Sequence, residues 1–338
     1  MKMTKITLGF SILATVGLLV VGCNKKANVA PEADTEFQSS IDASYATAVV
    51  TEIDDICGYL GEGYTTANAS YFSNAGSSGS VVYSQPSASV VAISYIGTVT
   101  CMDGKKRSGT VTLDYSASSA STAAKYYRDA GFVGKVLLSN YVVDGWAVNN
   151  SSTFTITNTT ASGYPPASTP LTWKLAGNVY LTYASGTVTA ADSITWKGSL
   201  AKTLTNSTNS LVLATSKLLP IKWTVSTSTA SPGAKCTYKG TIMGVVSKTK
   251  AYTLEVKEGD DNLLVRDFSC SPNKEIITPT YSVLTSEWHP IIIGVSNFTI
   301  AGATDARVIE YGSATTIGCD NNANVTIKGI SYPISLKK

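Results

Sequence analysis

The hydrophobic pattern of this chain changes period once. From Glu36 to Leu60, Phe37, Ile41, Tyr45, Val49, Ile53 and Cys57 recur every fourth residue, and Ala48, Ile56 and Leu60 widen the stripe. That spacing predicts a helix over 36–61, packed by one face on a sheet and stopped at Gly61. Residues 62–89 are rich in Gly, Ser, Asn and Tyr and read as a loop or a loose pair of edge strands. From Val90 onward the period drops to two. Val111, Leu113 and Tyr115 share one strand face, Phe154 and Ile156 another, and Val179, Leu181 and Tyr183 a third. The same alternation recurs to the C-terminal region. Glu258 to Asn262 is a cluster of turn residues and predicts a hairpin tip between the strands on either side. Residues 226–235 read as a connector, a seam between two groups of strands. No strand–helix–strand alternation follows residue 90, which argues against a doubly wound parallel sheet. The expected fold is mainly β: an antiparallel meander over 90–338, forming a sandwich or partly closed barrel with the one helix packed on it.

The N-terminal pattern is of a different kind. Lys2 and Lys5 precede an almost continuous apolar run from Ile6 to Val21. That run is shorter than the roughly 20 apolar residues a membrane span needs, and it has the layout of a secretory signal. Val20-Val21-Gly22-Cys23 resembles the lipobox of bacterial lipoproteins, in which the cysteine becomes the first mature residue and carries lipid. The expected organisation is a signal peptide over 1–22, lipidation at Cys23, and a polar tether over 23–35. The partner implied is a membrane, held through the lipid on Cys23. Asn24 is not the aspartate that retains many Gram-negative lipoproteins at the inner membrane, so an outer-membrane address is favoured. Lys25 and Lys26 have the opposite sign to an acidic surface-export tag, which favours the periplasmic side over the cell surface.

Composition narrows the function classes. Charged residues make up 14% of the chain, against about a quarter in ordinary globular domains. The Lys+Arg total of 26 nearly balances 23 acids, so no nucleic-acid footprint is expected. Beyond Cys23 lie five cysteines, Cys57, Cys101, Cys236, Cys270 and Cys319. An oxidising compartment makes disulfides an expectation, and an odd number leaves at least one thiol over. No spacing among them suits a zinc site.

The stretches CMDGKKRSGTVTLDY, from Cys101 to Tyr115, and RVIEYGSATTIGCDNNANVTIKGISYPISL near the C-terminus carry a resemblance. Over residues 95–338 the chain resembles a group of Bacteroidota outer-membrane lipoproteins. In that group a C-x-D-G-[KR]-x-R-x-G strand opens the β region and a Y-G…C-D-N-x-A-x-V-T-I-x-G strand pair closes it. The resemblance implies an architecture and a location, and no activity. Cys270 and Cys319 match the shared cysteines of the group, so Cys270–Cys319 is the preferred disulfide and Cys57–Cys101 the second choice. Cys236 matches none and is left as the odd thiol.

Chemistry-bearing residues are sparse. His289 is the only histidine and precedes Pro290 at the start of an apolar run, where it reads as a strand-edge residue. No nucleophile elbow, Walker loop or dinucleotide fingerprint occurs. The adjacent pairs Asp54-Asp55 and Asp260-Asp261 diverge in direction on a helix or a strand, so they read as a solvated helix face and a solvated turn. Asp320 lacks the ordered oxygen spacing of a calcium loop and reads as a turn residue. Trp173-Lys174 and Trp196-Lys197 repeat one phrase about a hairpin apart and suit neighbouring strands as a cross-strand pair. With Trp223 they are the candidate ligand-contact aromatics, for a glycan or an envelope protein. Asp192-Ser193-Ile194 resembles the short O-glycosylation signal of Bacteroidota. No cofactor and no metal are expected. The reading is a lipid-anchored envelope lipoprotein with a non-catalytic binding or structural role. A lipid-carrying half-barrel and a glycan-active enzyme with a carboxylate pair stand as alternatives.

Overall fold

In the computed structural model, the residues described are 34, 36–61, 73, 77–101, 104–118, 126–150, 154–160, 170–183, 193–205, 235–246, 250–257, 259, 262–267, 291–312 and 322–336. Cys23, Trp223, Cys270, His289, Asp320, Cys319 and both Asp260 and Asp261 lie outside them. Residues 36–338 form one compact unit.

Among the described residues one helix, α1 (Gln38–Gly61), precedes the strands. The strands run β1 (Ser80–Ser87), β2 (Val90–Thr100), β3 (Lys106–Asp114), β4 (Val133–Val143), β5 (Trp146–Asn149), β6 (Phe154–Asn158), β7 (Leu171–Tyr183), β8 (Ser193–Thr205) and β9 (Lys235–Val246). They continue with β10 (Lys250–Val256), β11 (Leu264–Asp267), β12 (Ile291–Ile293), β13 (Val295–Ile300), β14 (Arg307–Glu310), β15 (Asn322–Ile327) and β16 (Ile330–Ser335). All 16 described strands belong to a single sheet, and their pairings are antiparallel. The expected mainly β fold is the observed one, and its first strand lies inside the segment read as loop or edge strand.

Three rows of the sheet are interrupted strands. β5 and β6 both lie between β4 and β7. β10 pairs with Thr241 to Val246 of β9, and β11 with Lys235 to Tyr238 of the same strand. β12 and β13 lie in turn against β11 and β10. Glu258 to Asn262 therefore links two segments that lie along the same side of β9. The predicted hairpin tip is corrected on this point, because β10 and β11 share a partner and do not pair with each other. With each interruption counted once, the rows follow the chain order from β1 to β16, an up-and-down meander.

The sheet curls around α1. The helix packs on β2, β3, β7, β8 and β9. Farther round, Tyr45 meets Trp146 of β5 at 5.6 Å between ring centroids, Phe37 stacks on Tyr332 of β16 at 6.0 Å, and the Ser44 hydroxyl bonds that of Tyr311, just past β14, at 2.8 Å. Twenty of the 24 helix residues are buried. Small side chains let strands approach on several sides: Ala43, Ser44, Ala46, Thr47, Ala48 and Thr51 are all buried. The Thr47 and Thr51 hydroxyls donate to the helix's own carbonyls at Ala43 and Ala48, which satisfies them without water. Glu36 accepts the Ser39 N–H at 3.1 Å, and the Tyr127 N–H donates to the Gly61 carbonyl at 3.1 Å, so both helix ends have partners. The one-faced helix expected from the Phe37–Cys57 stripe is thus a helix enclosed by its sheet.

Close strand approach depends on glycine at the β8–β9 contact. A Cβ on Gly198 would lie 2.3 Å from the Thr241 carbonyl oxygen, and one on Gly240 (φ 147°) 2.2 Å from that of Ser199. Larger residues would force these strands apart. On β7, β8 and β9 alternate residues point inward: Leu171, Trp173, Leu175, Val179 and Leu181; Ile194, Trp196, Leu200 and Leu204; Tyr238 and Ile242. With the apolar residues of α1 they form one continuous core.

Candidate functional site: a charged seam beneath the sheet

The candidate site lies inside, along the last three turns of α1. Glu52, Asp54 and Asp55 are buried there among Val49, Ile53 and Ile56. This corrects the reading of Asp54-Asp55 as a solvated helix face. Neighbouring helix positions differ in direction by about 100°, so only a helix covered on several sides buries all three. Buried carboxylates need paired cations, and the sheet supplies them from inward strand positions. Arg107 of β3, Lys202 of β8 and Arg266 of β11 are each almost fully buried.

At the first end of the seam, Arg107 Nε and Nη2 both donate to Glu52 Oε1, at 3.1 and 2.5 Å. Lys105, whose side chain is 13% exposed, pairs with the other oxygen, Oε2. Burial works against a charge on Glu52, but Arg107 and Lys105 outweigh it and hold its carboxyl at about 2.

The other end is drier and more crowded. Lys202 Nζ lies 2.5 Å from Asp54 Oδ2 and 3.5 Å from Asp55 Oδ1. Arg266 Nη1 meets Asp55 Oδ2 at 2.6 Å and donates to the Tyr238 hydroxyl at 3.4 Å. The Tyr127 hydroxyl donates to Asp54 Oδ1 at 2.6 Å. The Tyr127 backbone carbonyl is fixed in turn by Trp173 Nε1 at 2.9 Å and Asn158 Nδ2 at 3.2 Å. Burial works against the Lys202 charge, yet Asp54 beside it holds the ammonium well above the usual lysine value. Cys57 and Cys236 lie buried nearby. Burial pushes the Cys57 thiol well up and the Cys236 thiol up to about 12, so neither is a ready nucleophile.

Other expected site residues fall differently. Cys57 is a free thiol and the Cys101 sulfur donates to the Val99 carbonyl at 3.9 Å, so Cys57–Cys101 is not a disulfide. Trp173 and Trp196 are core residues, which corrects their reading as ligand-contact aromatics. Trp173 stacks on Tyr127 at 4.8 Å, and Trp196 meets the edge of Phe154 at 6.2 Å. They occupy neighbouring strands but do not face each other: Trp173 is opposite Lys202, and Trp196 opposite Val179. Ser193 of the glycosylation-like triplet opens β8, opposite Thr182. Among the described residues, no cluster of three or more His, Cys, Asp or Glu could hold a metal ion.

The inward cations had a signal that periodicity carries. Arg107 shares strand parity with Val111 and Leu113, Lys202 with Leu200 and Leu204, and Arg266 with Leu264. A charged residue on the apolar side of a strand requires a buried counter-charge. Comparison of the chain with protein-family models, with curated proteins and with solved structures found no match.

Proposed function

We propose that this chain is a lipid-anchored protein of the Gram-negative outer membrane with a non-catalytic role, binding or structural. The observation that carries the non-catalytic part is the sealing of the helix carboxylates. Acid–base work on a substrate needs groups within hydrogen-bond reach of it. Glu52, Asp54 and Asp55 are instead enclosed and held by strand cations. The glycan-active alternative therefore loses its nearest carboxylate pair. The lipid-carrying alternative needs an open concave face, and α1 fills that face along its length. A binding role falls to the outer face, where Tyr180 of β7 and Met243 of β9 are exposed, with Lys174, Lys197 and Lys239 on β7, β8 and β9. The glycan or envelope-protein partner is assigned to that face. The anchor rests on the lipobox at Cys23 and on the resemblance to Bacteroidota lipoproteins.

Intact mass spectrometry of the native protein extracted from membranes tests the anchor. The expected mass is that of a chain starting at Cys23 plus lipid, and Cys23→Ala is expected to move the protein out of the outer-membrane fraction. A native mass without lipid overturns the anchored reading.

A further inference from the structure

Four buried groups converge between α1 and β8. Lys202 Nζ is 2.5 Å from Asp54 Oδ2, 3.5 Å from Asp55 Oδ1 and 3.3 Å from the Tyr127 hydroxyl. That hydroxyl is itself 2.6 Å from Asp54 Oδ1. The Tyr127 and Trp173 rings lie 5.6 and 5.4 Å from the same Nζ and form an apolar wall. An amine and a carboxyl group in water do not condense, because both are charged and solvent drives hydrolysis. In a dry pocket both obstacles weaken, and fixed contact replaces a bimolecular encounter.

We propose that Lys202 and Asp54 condense to an intramolecular amide that ties α1 to β8. Transfer of a proton from the Lys202 ammonium to Asp54 Oδ2 leaves a neutral amine against a neutral acid. The nitrogen lone pair attacks Asp54 Cγ, and a C–N bond forms. Negative charge develops on Oδ1, where the Tyr127 hydroxyl already donates. Asp55 Oδ1 takes the proton that the nitrogen loses, while Arg266 keeps the other oxygen of Asp55 engaged. Oδ2 then leaves as water with that proton, the C–O bond breaks, and Asp55 returns to its starting state. One amide forms and one water is released, with no oxidant, reductant or nucleotide. Tyr127 and Asp55 both touch the reacting atoms, and Trp173 positions Tyr127 through its carbonyl. This staple goes beyond the envelope role and does not depend on the lipid anchor.

The test is the intact mass of the purified, fully reduced and denatured chain, followed by proteolysis and fragment sequencing. The expected result is a mass lower than the sequence requires by one water. Digestion should give a branched peptide joining the Asp54 segment to the Lys202 segment. Asp54→Ala and Lys202→Ala are each expected to restore the full sequence mass. An unmodified chain at full sequence mass overturns the proposal without any variant having to fold. A water loss that maps to a linear peptide, such as a succinimide at Asp144-Gly145, overturns it equally.

Discussion

The two ends of the buried seam use the same helix and opposite solutions. At Glu52 one carboxylate meets two cations, and one of them, Lys105, reaches the surface. At Asp54 and Asp55 two carboxylates meet Lys202 and Arg266 with a phenol between them, all enclosed. Burial opposes ionisation at both ends. Two cations on one carboxylate overcome it at Glu52, whereas Asp54, with Asp55 beside it, has its carboxyl raised by burial despite Lys202. The contrast teaches that two enclosed acids on one helix shift in opposite directions when the charges around them differ.

Removing a cation at the dry end should have the largest effect. Lys202→Ala strands Asp54 in the core, and the expected loss is about 3–5 kcal/mol in chemical denaturation. A loss below about 1 kcal/mol would mean that water enters this end, and the contrast would fail. The wet end should dominate the acid limb of stability. The Glu52 carboxyl is lower in the folded chain than its ordinary value of 4.5, so its contribution is complete above that pH and is lost as pH falls through about 2. That shift corresponds to about 3 kcal/mol, and Glu52→Gln should flatten the limb in a pH series of denaturation curves. The smallest effect belongs to Lys105→Met. Its side chain is partly exposed and Arg107 remains on Glu52, so the expected change is within about 1 kcal/mol.

Much of the architecture was legible from period alone. The helix expected over 36–61 from the stripe of Phe37 to Cys57 matches α1 to within two residues at its start and ends with it at Gly61. Alternation marked β3, β6, β7 and β8, because an antiparallel strand with one buried face shows its parity directly. The seam was hidden by the assumption that a helix has a wet side. On a one-faced helix Asp54 and Asp55 cannot both be inside, so their adjacency argued for solvent. Whether a sheet curls far enough to cover the second side depends on close approaches such as Gly198 against Thr241, which no local pattern reports. The tryptophans misled for a related reason. Their repeated phrase places both on adjacent strands, but register puts Lys202 opposite Trp173 and Val179 opposite Trp196.

That α1 precedes the described strands has a consequence for the order in which the chain acquires structure. Asp54 finds its lysine 148 residues later, and the Glu36 carbonyl finds Arg307 after 271. A chain that emerges from its N-terminus makes the helix before any strand able to neutralise it. Most of a helix's stability in a protein comes from packing its apolar surface rather than from propensity, so α1 gains its lasting stability only when the meander has wound around it. Contacts of such sequence separation are slow to form. α1, synthesised before the described strands, is therefore among the last of these elements to be secured, and the folding rate should be limited by the wrapping of the sheet rather than by the helix.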